Sequence, residues 1–356
     1  MPHSPVRITL FVPELLWPVP EATEIFDGLD CPVLNTLLAR GRMTQRPPQS
    51  PEATLADRFG HSENTPYAAF RRLGEHDMPA APEDACWIAA DPVHLRFQQE
   101  RLILADGATL GINADEASLV AEDMNRHFGD IGRMHVATPE RWYLHVAPNS
   151  PLAAFTPPPL SAVTGRSIER LLPEIMPDRA VRALLNEIQT FLHAHPVNQR
   201  REDKGLLPIN SLWLWGAGAL PPRIAADFDG VWSNHPLATG LARAAGVPTH
   251  PVPVDAAAFL SHTAPGTHQL VELDDLADPV QHENGEAYRD AIANLERRWF
   301  APLRQALAAG RIAPLRIEAA TAYATLTWES GRRDTWKFWR RPRPLIDIAR
   351  KLADSP

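Results

Sequence analysis

The chain of 356 residues carries 35 Lys and Arg against 43 Asp and Glu, a formal net charge of -8. A balance of that sign argues against a general affinity for nucleic acid or anionic membranes, while leaving room for a local basic patch. With 44% hydrophobic residues, a sizeable core is expected, in two domains or in one large domain bearing an insertion. Cys31 and Cys86 lack metal-type spacing, which argues against both a disulfide framework and a zinc cluster. The first apolar run is broken by Pro13, and no stretch of about 18 apolar residues follows. Neither signal peptide nor membrane span is therefore expected, and the compartment expected is the cytoplasm. Proline, at 36 residues, is about twice as common as usual, which points to stiff connecting loops.

In chain order, residues 6–12 form a β-rich, apolar first strand that Pro13 ends. Residues 32–40 place Val33, Leu34, Leu37 and Leu38 at helical spacing, with Gly41 as a stop. Residues 47–51 read as a loop, and 53–59 and 67–73 as short helices. From about Ala85 the pattern changes to short strands at 86–89, 101–104, 134–137 and 142–146. These surround a helix at 115–128, which Asn113 and Glu116 start in the manner of a capping box. Such a set forms an α+β insertion at 84–150, with 148–159 as the return linker.

After a helix from Asp178 whose buried face is Val181, Leu184, Leu185, Ile188 and Leu192, strand and helix alternate as a parallel sheet demands. Strands are expected at 211–215, 231–233, 249–254, 268–273 and 315–318. Helices are expected at 237–245 and 286–309, the latter kinked by Pro302. A hairpin, 323–328 and 335–339, closes the chain. The fold class expected is α/β, a mostly parallel sheet flanked by helices, built from 1–83 and 151–356.

The central stretch is 195–220, HPVNQRREDKGLLPINSLWLWGAGAL. Gly216 and Gly218 would let the backbone turn at the carboxyl end of a buried strand, where ligands of open α/β sheets bind. Asn198, Arg200 and Arg201 offer donors suited to phosphate or carboxylate, and Asn210 joins Asn198 and Arg201 as a candidate ligand-binding residue. The plainer reading is a core strand and its loop. Asp278 and His282 could be ligands of one divalent metal, manganese or zinc; the plainer reading is a helix-capping Asp beside an exposed His. Arg332, Arg333, Lys337, Arg340, Arg341 and Arg343 interleave with Trp336, Phe338 and Trp339, a composition that single-strand binders share. Period-two spacing favours aromatics inward and cations outward on a hairpin.

The order of these pieces resembles the cofactor-independent phosphoglycerate mutases of the alkaline-phosphatase-like superfamily, particularly their archaeal-type branch. The resemblance rests on CPVLNTLLARGR (31–42), PEATLADRFG (51–60), HPVNQRREDKGLLPINSLWLWGAG (195–218) and DPVQHENGEAY (278–288). DPVHL, ERWYL, NEIQ and NSLWLWGAG further resemble a proteobacterial side branch described as Rpf-type regulatory proteins.

Membership would imply two divalent metals and a Ser or Thr nucleophile. Against that pattern the Asp-Gly pair after the first strand reads Pro13-Glu14, so Glu14 is the candidate substitute ligand. Pro51 stands at the nucleophile position, with Ser50 one residue off. Asp278 and His282 match one metal pair, and the second Asp-His pair is replaced by Glu318 without a His. The resemblance therefore implies a degenerate, non-catalytic protein with a binding or regulatory role and a small-anion pocket near Asn198, Arg201, Gly216 and Gly218, or a protein partner. No resident cofactor is expected beyond one divalent metal. The competing expectation is a metal-dependent phosphomutase or phosphohydrolase with rearranged ligands.

Overall fold

The computed structural model describes residues 4–61, 64–79, 82, 84–98, 101–147, 150–165 and 179–354. Asp178 and Pro148, expected at a helix start and a linker start, lie outside them. In chain order the strands are β1 (Val6–Phe11), β2 (Arg42–Arg46), β3 (Cys86–Gln98), β4 (Arg101–Ala105), β5 (Gly132–Thr138), β6 (Arg141–Val146), β7 (Ser211–Gly218), β8 (Gly230–Trp232), β9 (Thr249–His250), β10 (His268–Glu272), β11 (Ile312–Ala320) and β12 (Thr325–Ser330). The chain divides into two compact units, Met1–His61 with Ile224–Pro356, and Ser62–Arg223.

The first unit holds a seven-stranded sheet in the order β2-β12-β11-β1-β10-β8-β9. The strands from β11 to β9 run parallel, while β12 and β2 add an antiparallel edge. This is the expected α/β sheet flanked by helices. β1 and β10 are buried almost throughout, as central parallel strands must be when both faces are covered. Helices Pro32–Arg40 and Ala301–Ala308 pack on each other, the latter also on β11, and Pro236–Ala244 packs on β8.

The long helix expected at 286–309 is interrupted. Gly285–Leu295 gives way to a π-turn, Glu296–Phe300, before Ala301–Ala308. Pro302 has no N–H to donate, and its ring would crowd the Arg298 carbonyl of a regular helix, so the turn before it widens. The widened turn presents the Glu296 carboxylate to Val33 N at 2.6 Å and Leu34 N at 3.0 Å. It thereby satisfies two of the open N–H groups that begin the helix Pro32–Arg40.

The second unit is an antiparallel sheet, β4-β3-β6-β5, with β7 paired along the other edge of β3. It is larger than the 84–150 insertion expected, and it claims the strand expected at 211–215 in the parallel sheet. The misassignment has a physical cause. Leu212 and Leu214 bury against helices Ala114–His127 and Arg179–His193, while Trp213 and Trp215 bury in a second cluster with Ala68, Ala69 and Trp87. A strand covered on both faces loses the polar alternation of an antiparallel strand and reads like a parallel one. The capping box of Ala114–His127 is present as expected, with Asn113 and Glu116 bonded reciprocally.

The closing hairpin is corrected as well. β12 pairs with β11 and β2, and residues 332–336 form a 3-10 turn instead of a strand. Asp334 accepts the Gly331 N–H at 2.7 Å and so bends the chain away from the sheet. The pairing place goes to β2, whose five residues are all exposed. Arg, Met, Thr, Gln and Arg show no apolar alternation, which is why 42–46 does not read as a strand; charge on an edge also discourages further pairing. Among the described residues no helix is long and apolar enough to cross a membrane.

Candidate active site

In the first unit the parallel strands deliver their carboxyl ends to one edge, where open α/β sheets bind ligands. Phe11 of β1 is flanked in register by Glu272 of β10 and Glu318 of β11. At about 4.8 Å between strands, these two carboxylates stem from backbones roughly 10 Å apart. Beyond β1, Glu14 is buried and its N–H donates to the Ala320 carbonyl at 2.8 Å. Glu14 has a left-handed backbone, φ 57°, a conformation that favours glycine. It thus stands at the glycine of the expected Asp-Gly pair and leaves Pro13, which has no ligand atom, at the aspartate.

Glu318 is fully buried and held by two guanidiniums. Arg58 Nε donates to Oε2 at 2.6 Å and its second nitrogen donates to Oε1, while Arg46 lies 3.6 Å from the same Oε1. Arg46 also bonds Asp57 at 2.8 Å. Positive charge therefore already sits on this carboxylate, in bidentate geometry suited to guanidinium. Glu272 differs. Burial first, then repulsion from Asp274, pushes its carboxyl up to about 8, so it carries a proton at neutral pH. Ser233 Oγ donates to its Oε2 at 2.5 Å, and burial likewise raises Asp274.

Ser50 is the N-cap of the helix Pro51–Asp57, its Oγ accepting from Ala53 N at 3.1 Å. Asp278 and His282 meet each other, Nδ1 to Oδ1 at 3.1 Å, on the short helix Ala277–Gln281, where the Asp278 side chain is 79% exposed. No three His, Cys, Asp or Glu side chains gather in a group able to hold a metal among the described residues. The two-metal centre that the resemblance implies does not fit the residues at these positions: Pro13 lacks a ligand atom and Glu318 is held by arginines. Arg58 and Glu272 were not anticipated. Glu272, a carboxylate ending the apolar strand HQLVE, carried a sequence signal; Arg58, one position past the end of a short helix, carried none.

The residues expected to bind an anion lie in the second unit, turned inward. Arg201 is fully buried, with Nε on Leu207 O at 2.9 Å, one terminal nitrogen on Glu116 at 2.6 Å and the other on Leu110 O at 2.5 Å. Asn198 exchanges bonds of 2.7 Å with the Ile209 backbone and donates to Leu192 O at 2.6 Å. Asn210 pairs with the Leu95 N–H and carbonyl, both at 2.8 Å. These side chains hold the loop and β7 in place. Gly216, at φ 65°, and Gly218 give room to a helix: a Cβ would come within 2.8 Å of Tyr67 Cβ and Pro66 Cβ respectively.

No family model matches the chain. The 2,3-bisphosphoglycerate-independent phosphoglycerate mutase of Methanosarcina mazei is 26% identical over 207 residues, covering 55% of this chain and 50% of that protein. Its counterpart in Methanosarcina barkeri is 29% identical over 110 residues, 31% of this chain and 28% of that one. The chain is homologous to cofactor-independent phosphoglycerate mutases. It spans about half the length of the curated relatives it matches. Among solved structures, the PH0037 protein from Pyrococcus horikoshii superposes with a TM-score of 0.54 at 15% identity, covering 98% of this chain and 97% of that one. That likeness is one of fold.

Proposed function

We propose that the chain is a degenerate, non-catalytic phosphoglycerate-mutase-like protein on an alkaline-phosphatase-like scaffold, of the Rpf-type regulatory branch, acting by binding. One observation carries the reading: both Glu318 oxygens are held by Arg58 at the strand end where the resemblance expects a metal pair. A guanidinium in that place supplies charge but cannot lower the pKa of a bound water or bridge to a nucleophile. Among the described residues the Ser50 oxygen accepts its hydrogen bond from a helix N–H, and that bond does not run to a general base.

The test combines metal analysis of the purified protein with mutase and phosphatase assays in magnesium, manganese and zinc. The expected outcome is less than one bound equivalent and no turnover above blank. Two tightly bound equivalents with turnover abolished by Ser50→Ala would sink the proposal.

A second reading, a metal-dependent phosphomutase or phosphohydrolase with rearranged ligands, draws support from the acidic groups that remain. Burial raises both Glu272 and Asp274, with repulsion from Asp274 adding to the first and from Asp275 to the second, and perturbed carboxyls at a strand edge are a feature of working sites. It predicts that manganese raises the thermal midpoint of the wild type and leaves Glu272→Gln unmoved.

A further inference from the structure

The segment 332–343, RRDTWKFWRRPR, packs six cations and one carboxylate into twelve residues of a chain whose net charge is -8. The inward packing expected of its aromatics does not occur. Trp336 is 72% exposed, Phe338 80% and Trp339 67%, and the last two rings meet edge to face with centroids 5.4 Å apart. Rings of this size are ordinarily covered. The segment is held in place from the side, Arg40 donating to the Thr335 carbonyl at 2.6 Å.

Beside these rings lies a groove of about 820 Å³ to which Arg42, Lys337, Arg340, Arg341, Arg343 and Lys351 contribute, against one carboxylate, Asp347. Arg42 also lines a second depression of about 360 Å³ with Arg46, Arg58 and Arg316, against Glu329. The register of β2 on β12 puts Met43 and Gln45, which line the groove, on the sheet face opposite Thr44 and Arg46, which line the depression, so the two lie on opposite faces and share Arg42 at the sheet edge. Lys337 is paired with Asp334 and Arg316 with Glu329. Among the described residues no carboxylate stands at ion-pair distance from Arg42, Arg340, Arg341 or Arg343. Asp334 is within electrostatic reach of Arg340 and Asp347 lines the groove, but the cations outnumber these carboxylates, and a polyanion laid along them relieves their repulsion.

We propose that this groove binds single-stranded nucleic acid, with phosphates on its arginines and unstacked bases on Trp336, Phe338 and Trp339. Concavity and ring exposure decide the class of partner. A linear polyanion can lie in a groove lined by cations, whereas a flat anionic bilayer meets only what protrudes. Exposed rings interleaved in sequence with the groove's cations suit bases freed from a duplex, since every base presents a face to stack. The acidic remainder of the chain repels nucleic acid elsewhere and confines binding to this edge.

The experiment is fluorescence anisotropy of the full chain with labelled 15-mers of deoxythymidine and of uridine, at a series of salt concentrations. Binding is expected at low salt, weakening as salt rises, with a log–log slope of about 0.7 per phosphate neutralised. Arg340→Glu with Arg341→Glu is expected to weaken binding more than tenfold and to flatten the slope by about 1.4. Trp336→Ala with Trp339→Ala, both exposed and outside the core, is expected to weaken binding by about tenfold per lost stack at unchanged slope.

A 15-base-pair duplex should bind less well than either single strand. Absence of binding at 50 mM salt overturns the proposal. So does equal affinity for duplex combined with indifference to the tryptophan substitutions, which would reduce the effect to charge. Capture of the chain by vesicles of phosphatidylcholine with 30% phosphatidylserine, without oligonucleotide binding, overturns it in favour of a membrane surface.

Discussion

Each unit buries one carboxylate completely and sets an arginine across it, yet the two pairs are built differently. In the second unit Asp91 receives both terminal nitrogens of Arg71, at 2.8 and 2.7 Å, the Trp215 indole N–H at 2.8 Å and the Trp142 backbone N–H at 3.3 Å. The Arg71 guanidinium is 5% exposed and also lies against the Tyr143 and Trp215 rings, 4.8 and 5.0 Å from their centroids. In the first unit Glu318 is held by Arg58, 25% exposed, and by Arg46, 43% exposed. A closed network ties sheet to helix; an arginine with water on one side can let go. Asp91→Ala should therefore be the most damaging single change, costing about 3–5 kcal/mol because it strands a buried guanidinium. Urea unfolding checks this, and adding Arg71→Leu to Asp91→Ala should recover part of the loss. A cost below about 1 kcal/mol would break the comparison.

Across β1 from Glu318 stands a buried carboxyl with the opposite solution. No cation among the described residues pairs with Glu272, which instead keeps its proton up to about 8. Between its ordinary 4.5 and about 8, the folded chain holds a proton that the unfolded chain releases. Stability therefore falls as pH rises through that window and levels off above it. Glu272→Gln removes the titration, so it should unfold later than wild type at pH 8.5, by roughly 2–4 kcal/mol, with the difference closing near pH 5. Curves that stay parallel from pH 5 to 8.5 would show that Glu272 is ionised in the native state.

Glu318→Gln comes third, at about 1–2 kcal/mol, because Arg58 and Arg46 can turn to water when the charge is lost. The contrast between Asp91 and Glu318 also marks what the sequence shows and what it hides. β1, β10 and the capped helix Ala114–His127 are legible, because apolar runs and an Asn-x-x-Glu start are local signals. Arg71 with Asp91, and Arg58 with Glu318, join residues 20 and 260 positions apart; no spacing rule links them. β7 misleads for the converse reason, since the local signal is strong but helices on both faces erase the feature that tells antiparallel from parallel. At the candidate site the sequence supplies the losses, Pro13 and the missing His after Glu318. It does not supply the arginines that hold Glu318.

The smallest effect separates two roles for one hydroxyl. Ser50 caps the helix Pro51–Asp57 through a 3.1 Å bond from Ala53 N, so Ser50→Ala should cost about 1 kcal/mol. Ser50→Asp should cost almost nothing, because aspartate caps as well as serine and its charge favours the helix N-terminus. The pair of variants is informative because aspartate keeps the cap and removes the hydroxyl. If Ser50 serves only as a cap, stability tracks the capping order, and phosphatase activity stays at blank level in wild type and both variants. If the hydroxyl attacks phosphate, activity is present in wild type and disappears in Ser50→Asp while stability is retained. Differential scanning calorimetry beside the phosphatase assay reads both quantities on the same samples, and loss of activity at unchanged thermal midpoint would restore Ser50 as a nucleophile and with it the enzymatic reading of the strand edge.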